Sequence, residues 1–240
     1  MKLLIIRHAD PDYVNDTLTD IGWQEAKALA DRMKTVKADK CYVSPLNRAK
    51  DTARLCLDAM GMEATELEWL REFAPVVTRP ENKGIAWDWL PADWTNMPYA
   101  FDQDRWTEHP ALIEAGVKEE VDWVYREFDS LLADHGYKKD GKLFRAIRPN
   151  NDTIVIFCHF GLECVLLSYL LNLPLFVLWH SMIAAPSSVT TVVTEERRSG
   201  IAQFRMPSYG DISHLYAAGM KPSFAGRFRE CYTNEYERLD

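Results

Sequence analysis

Three short apolar segments of this sequence lead to residue types that can bind or transfer anionic groups. The run LLII leads into Arg7 and His8, the run IVIFC leads into His159, and the segment CYVS precedes a helix-like stretch with Arg48 near its start. Apolar runs of this length are typical of strands covered on both faces, and ligands of open α/β sheets bind beyond the carboxyl ends of the strands. The sequence therefore predicts an anion site, and arginine forks and helix N-terminal amides suit phosphate.

Strand-like and helix-like patterns alternate along the rest of the chain. A helical pattern follows Thr19, a suitable N-cap, and a second one ends at Gly61. An amphipathic helix ends at Gly136, and the stretch SSVTTVVTEERRSGIAQFRM predicts a β-hairpin with its turn near Ser199 and Gly200. This alternation predicts an α/β fold with a mostly parallel central sheet.

Length and composition indicate a soluble globular protein. The 240 residues are 47% hydrophobic and 27% charged, and they fit a single domain over residues 1–240. A net charge of −8 argues against nucleic-acid binding. The most apolar stretch contains Glu163, Asn172 and Pro174, so we expect no membrane span. The five cysteines are widely spaced, which favours buried free thiols in a reducing compartment. The absence of a signal-peptide pattern favours a cytoplasmic location.

Residues 74–117 break the alternation and predict a cap inserted into the domain. Four tryptophans and five prolines lie in this stretch: Trp87, Trp89, Trp94, Trp106, Pro75, Pro80, Pro91, Pro98 and Pro110. The tryptophans fit two interpretations, either recognition of an apolar part of a substrate or packing of the cap onto the core. Among the other histidines, we interpret His180 as structural and three as surface or loop residues: His109, His135 and His214.

Five motifs of the chain resemble those of the histidine phosphatase (phosphoglycerate-mutase-like) superfamily. They are RHADPDY, LTDIGWQEA, SPLNRAKDTA, LREF and CHFG, and they occur in the family's order between residue 3 and about residue 161. The resemblance implies a three-layer α/β/α sandwich around a mixed, mostly parallel sheet.

The same resemblance implies a reaction mechanism. His8 would attack phosphorus and form a phosphohistidine, and Glu72 would act as general acid and then as general base. Arg7, Arg48 and His159 would bind the phosphoryl oxygens and stabilise their charge. A nucleophilic His8 must be neutral, with its other ring nitrogen held by an acceptor such as a backbone carbonyl. No metal and no cofactor is implied.

The chain departs from the family's pattern at several positions around the two histidines. Ala9 and Phe160 stand where the family has glycine, and Val14 stands where it often has asparagine. We expect Asn15 to take the place of that asparagine in substrate binding. Phe160 and Gly161 are expected to line the substrate pocket next to the second histidine.

We therefore predict a metal-independent phosphatase that hydrolyses a small phosphorylated metabolite. Two alternatives are a phosphoglycerate-mutase-like phosphotransferase and a non-catalytic module that binds a phosphorylated ligand. A third hypothesis takes DPDYV as an aspartyl phosphotransferase motif, with Asp10 as nucleophile and Asp12 as acid. The charged, helix-prone tail FRECYTNEYERLD either packs on the domain or mediates contacts in a homodimer.

Overall fold

The computed structural model describes residues 1–79, 82–228 and 230–233 of the chain. Its strands are β1 (Lys2–Arg7), β2 (Pro11–Asp12), β3 (Thr17–Leu18), β4 (Lys40–Val43), β5 (Ala64–Glu66), β6 (Val76–Thr78), β7 (Lys83–Ile85), β8 (Tyr137–Asp140), β9 (Leu143–Ala146), β10 (Thr153–Cys158), β11 (Val189–Arg198) and β12 (Ile201–Asp211). Its α-helices are α1 (Asp20–Met33), α2 (Asn47–Met60), α3 (Pro91–Trp94), α4 (Pro110–Glu114), α5 (Val117–Asp134), α6 (Phe160–Leu171), α7 (Leu175–Ser181) and α8 (Ser213–Ala217). Pro80 and parts of the helix-prone tail, residues 229 and 234–240, lie outside the described residues.

Within the described residues, eight strands form one mixed sheet in the order β5-β4-β10-β1-β11-β12-β9-β8. The pairings β5·β4, β4·β10 and β10·β1 are parallel, and the four pairings from β1 to β8 are antiparallel. The α/β fold with a mixed central sheet is thus confirmed, and all strands of this sheet except β9 and β11 run in the same direction. The hairpins β8-β9 and β11-β12 account for two of the antiparallel pairings, because a short turn reverses the chain and forces antiparallel pairing.

Helices cover both faces of the sheet. Alternate residues of β1 point to opposite sides, so Leu4 and Ile6 pack with α1 and α2, whereas Leu3 and Ile5 pack with α5 and α6. This alternation explains why β1 is apolar throughout and confirms the three-layer arrangement. None of the helices in the described ranges combines the length and apolar composition needed to cross a bilayer.

The start of α1 fixes the loop that follows β1. Thr19 is the N-cap of α1, and its Oγ1 accepts a hydrogen bond from the backbone N–H of Gly22 at 3.0 Å. The same hydroxyl donates to Asp10 Oδ2 at 2.6 Å. A Cβ at Gly22 would lie 2.2 Å from the carbonyl oxygen of Asp10, so only glycine allows this approach. The helix α2 ends at Gly61, as the sequence predicts, and the φ of Gly61 is 65°.

The segment 74–117 contains the β6-β7 hairpin, α3 and α4. Trp89, Trp94 and Trp106 are buried in the same apolar cluster as the sheet, with ring centroids 6.3, 6.3 and 5.8 Å from that of Phe176. For these three tryptophans the structure supports the packing interpretation. Trp87 differs, since its indole ring lies beside Phe160 and Gly161 at the start of α6. The division of the chain into one domain with an inserted cap stays a prediction.

Candidate active site

The parallel half of the sheet brings the predicted site residues to one edge. In the ladders, Arg7 is paired with Cys158, and Phe157 is paired with Val43, so the chain leaves β1, β10 and β4 at the same level. His8 and His159 follow directly, and their ring centroids are 5.0 Å apart. The proximity of the two histidines is therefore a direct result of strand register.

His8 is held as a neutral imidazole with one defined tautomer. Its side chain is buried, and Nδ1 lies 2.8 Å from the carbonyl oxygen of Ala9. Because a carbonyl only accepts hydrogen bonds, Nδ1 carries the proton and Nε2 carries the lone pair. Burial, together with the charges of Arg7 and Arg48, holds the pKa of His8 well below its ordinary value. The ring therefore presents an unprotonated nitrogen at neutral pH, which is the state that a nucleophile needs.

His159 is fully buried beside the end of β4. Its Nε2 lies 2.7 Å from Ser44 Oγ, and the same hydroxyl accepts the N–H of Leu46 at 3.3 Å. Burial is the main cause that holds the pKa of His159 well below its ordinary value, and the nearby His8 adds to it. Nδ1 of His159 has no hydrogen-bond partner among the residues that the structure describes. This buried nitrogen therefore has unused hydrogen-bonding capacity beside His8.

Arg7 is enclosed on several sides. Its Nη1 donates to the carbonyl oxygen of Ala184, and its Cζ lies 6.0 Å from the ring centroid of Phe160. The backbone at Gly226 packs on the guanidinium group, since a Cβ there would lie 2.7 Å from Nη2. Gly226 has a φ of 80°, so the chain that follows α8 turns over Arg7 at a position suited to glycine.

Arg48, on the first turn of α2, is paired with an acid that the sequence analysis missed. Asp16 Oδ1 lies 2.6 Å from Nη1 of Arg48, and Asp16 Oδ2 accepts the N–H of Asn47 at 2.9 Å. The ring centroid of Tyr13 lies 5.4 Å from Cζ of Arg48. Asp16 thus occupies both the guanidinium group and a helix N-terminal amide, the two kinds of donor expected for an anion.

The structure does not bring Asn15 to the arginines, so its predicted place in the site is not supported. The Asp12 carboxylate accepts the backbone N–H groups of Val14 and Asn15 at 3.0 and 3.2 Å. The Asn15 side chain is exposed and donates to Asp12 Oδ2 at 2.7 Å. This local turn directs Asn15 toward Asp12, and the following residue, Asp16, reaches Arg48.

Glu72 is joined to the start of α6. Its Oε1 accepts the backbone N–H of Phe73 at 2.8 Å and that of Leu162 at 3.1 Å. Burial raises the pKa of Glu72, while the two N–H groups and Arg7 oppose the rise. A raised pKa keeps more of a carboxyl group protonated at a given pH, which favours the role of general acid.

Phe160 and Gly161 form the wall between Glu72 and the cap. Phe160 is buried, and its ring meets the Trp87 ring edge-on with centroids 5.6 Å apart. A Cβ at Gly161 would lie 2.4 Å from Trp87 Nε1 and 2.8 Å from Glu72 Oε1. Trp87 Nε1 donates to the carbonyl oxygen of Phe73 at 2.6 Å. Both residues therefore lie at the site, and their contact with substrate stays a prediction.

Asp10 would be the nucleophile if DPDYV were an aspartyl phosphotransferase motif. Its contacts instead favour a role in shaping the loop after β1. The Asp10 carboxylate accepts the Thr19 hydroxyl, and the Asp10 N–H donates to Glu25 Oε2 at 2.9 Å. Both contacts tie Asp10 to α1. Within the described ranges, no group of three or more His, Cys, Asp or Glu side chains is arranged to hold a metal ion.

Fold and site together define a three-layer α/β protein with two buried histidines and two arginines at the carboxyl edge of its parallel strands. A family model of the histidine phosphatase superfamily (branch 1) matches residues 3–206. The chain belongs to this superfamily, as its motifs indicate.

Individual relatives are distant in sequence and similar in fold. Phosphoserine phosphatase 1 of Hydrogenobacter thermophilus is 24% identical over 215 residues, which are 86% of this chain and 92% of that protein. A mutant phosphoserine phosphatase from Entamoeba histolytica, solved with phosphoserine, has a TM-score of 0.58 at 18% identity and covers 89% of this chain and 98% of its own. A mycobacterial glucosyl-3-phosphoglycerate phosphatase has a TM-score of 0.55 at 18% identity, and the match covers 87% of this chain and 98% of that protein. These two structural similarities show the fold.

Proposed function

We propose that the protein is a phosphatase that hydrolyses a small phosphomonoester through a phosphohistidine. Nε2 of His8 attacks phosphorus in line with the ester oxygen, and the P–O bond breaks as the N–P bond forms. The leaving oxygen takes the proton of Glu72. In the second half, Glu72 takes a proton from water, the water oxygen attacks phosphorus, and the N–P bond breaks to release inorganic phosphate. His8 returns to its neutral state.

Arg7, Arg48 and His159 stabilise the transferring group in this proposal. The two guanidinium groups provide paired donors for the phosphoryl oxygens, and the free Nδ1 of His159 adds one more contact. Asp16 leaves Arg48 when a phosphate arrives, because the dianion offers more charge and more acceptor oxygens than one carboxylate. Stabilising the transferring group in a buried site is the dominant contribution to phosphoryl transfer.

The state of His8 is the single observation that supports the proposal most. A buried imidazole is usually a structural residue, but here Nδ1 is fixed by the Ala9 carbonyl and a second histidine lies 5.0 Å away. A module that only binds phosphate has a higher affinity for the anion with a protonated histidine than with a neutral one. The neutral ring therefore favours covalent chemistry over binding alone.

We further propose that the substrate is a small phosphorylated metabolite. Phosphoserine, glucosyl-3-phosphoglycerate and α-ribazole-5′-phosphate, after the names of similar proteins, form the first panel to assay. In this proposal the ester's organic group lies against Trp87 and Phe160, whose ring centroids are 5.6 Å apart. Their rings favour substrates that bring some apolar surface to this wall.

The first experiment measures hydrolysis of p-nitrophenyl phosphate in excess EDTA by the native protein and by His8→Ala. Turnover that persists in EDTA and disappears in the variant supports the proposal, and acid-labile ³²P-labelling of the protein would identify the intermediate. His135→Gln is a matched control, because His135 bonds Tyr42 away from the site. Turnover that EDTA abolishes and His8→Ala retains would instead support Asp10 as nucleophile. Labelling without hydrolysis would support the phosphotransferase, and phosphate binding without either would support the binding module.

A further inference from the structure

The loop 184–188 holds the Arg7-His8 pair by three hydrogen bonds. The carbonyl oxygen of Ala184 accepts from Arg7 Nη1, and that of Ser188 accepts the Arg7 backbone N–H at 3.2 Å. The N–H of Ser187 donates to the carbonyl oxygen of His8 at 3.0 Å. This loop therefore contacts the main chain of both residues and the guanidinium group of Arg7.

The peptide group between His8 and Ala9 is fixed on both sides. Ser187 holds its carbonyl oxygen, and the Thr52 hydroxyl of α2 accepts its N–H at 3.0 Å. The Thr52 hydroxyl in turn donates to the carbonyl oxygen of Arg48 at 2.8 Å. The His8 ring is oriented by the carbonyl oxygen of Ala9, which lies in the next peptide group, so movement of the His8–Ala9 peptide group would displace both the ring and its hydrogen-bond partner.

Ser187 adopts a backbone conformation that side chains other than glycine disfavour. Its φ is 60° and the residue is fully buried. A non-glycine residue in the left-handed region costs on the order of 1 kcal/mol and persists only where its surroundings fix it. Here Ser187 Oγ lies 3.0 Å from Nε2 of His214, which is 5% exposed on α8. The expectation that His214 is a surface or loop residue is therefore wrong, since it is buried and helical.

We propose that Ser187 and His214 are positioning residues of the active site. The hydrogen bond between their side chains keeps the loop in the left-handed conformation, and that conformation directs the Ser187 N–H to His8 and the Ala184 carbonyl to Arg7. The inference rests on the proposed function in that His8 and Arg7 perform the reaction. A displacement of about 1 Å in a reacting group can lower a rate about a hundredfold, so loss of this support reduces kcat far more than KM.

A double-variant cycle tests the proposal through the backbone preference of glycine. His214→Phe removes the hydrogen bond and keeps a ring in the cavity, and it lowers kcat by tenfold or more with KM changed less than threefold. Ser187→Ala, which keeps the Cβ and loses the bond, lowers kcat by a similar factor. Ser187→Gly retains at least tenfold more activity than Ser187→Ala, because glycine adopts this φ without help. In the Ser187→Gly background, His214→Phe lowers kcat less than threefold.

Amide hydrogen exchange adds a readout that does not depend on turnover. The backbone amide of residue 187 exchanges faster in His214→Phe and in Ser187→Ala than in the native protein. In the double variant of Ser187→Gly and His214→Phe it exchanges more slowly than in these two single variants. Asn172→Gly is the matched control, since Asn172 has a φ of 53° at the end of α6 and bonds Lys139 and Lys142 instead of the site. Equal kcat and exchange for the alanine and glycine variants overturns the inference. A native protein without turnover contradicts the proposed function, and exchange then decides the inference alone.

Discussion

Replacing Glu163 by glutamine is expected to stabilise the protein at neutral and alkaline pH. Glu163 lies on α6 with 1% of its surface exposed, and its carboxyl group faces the hydroxyl of Thr190. It accepts no hydrogen bond of ordinary geometry from any residue in the described ranges. Burial raises its pKa to about 7, and nearby Glu72 adds to the rise, whereas Arg7 opposes it.

The size and sign of the effect follow from the two pKa values. An ordinary glutamate has a pKa of 4.5 and Glu163 has one of about 7, a difference that corresponds to about 3 kcal/mol of stability. Between these pH values the native state keeps a proton that the unfolded state releases. The free energy of unfolding therefore falls as the pH rises through this window, and the loss is complete above about pH 7. Glutamine has the same shape and no such loss.

Urea unfolding of Glu163→Gln and of the native protein at pH 5 and pH 8 measures the effect. The gain in the free energy of unfolding at pH 8 should exceed that at pH 5 by about 2 kcal/mol, which amounts to several degrees in Tm. Glu127→Gln, an exposed position on α5, is the control and should show no such difference between the two pH values. If the free energies of unfolding of Glu163→Gln and of the native protein differ by the same amount at both pH values, the reasoning is refuted.

Two substitutions at the site itself give further tests. Gly161→Ala places a methyl group 2.4 Å from Trp87 Nε1 and 2.8 Å from Glu72 Oε1, and should lower kcat about tenfold to a hundredfold by displacing the acid. An unchanged kcat would mean that Glu72 is not the proton donor. Asp16→Asn removes the charge paired with Arg48, and should tighten inhibition by inorganic phosphate about fivefold, since about 1 kcal/mol of competing attraction is lost. Weaker inhibition would show that Asp16 positions Arg48.

Features that depend on local sequence could be predicted well. The apolar run of β1 is determined by burial on both faces, and the cap at Thr19 and the end of α2 at Gly61 follow from residues next to the helices. The juxtaposition of His8 and His159 followed from one topological rule about parallel strands. A single rule sufficed because the register of β1 and β10 leaves both residues at the same edge.

Features that depend on distant contacts could not be predicted. The side chain that reaches Arg48 is set by the Asp12 turn, so the choice of Asp16 over Asn15 depends on one side-chain hydrogen bond. His214 resembles a surface residue in its local sequence, and it is buried because α8 packs against α1. Gly226 reaches Arg7 across the whole length of the chain. In each case the deciding contact joins segments whose sequence patterns are independent.

The order of strands in the sheet also determines when the site can form during synthesis. β1 carries Arg7 and His8, yet both of its ladder partners come much later, from residues 153–158 and 189–193. At the usual rate of translation, roughly ten to thirty seconds pass between emergence of β1 and of β10. Throughout that interval an apolar strand has neither neighbour, which makes it a natural target for chaperones. His8 is thus made long before the strands that complete its surroundings.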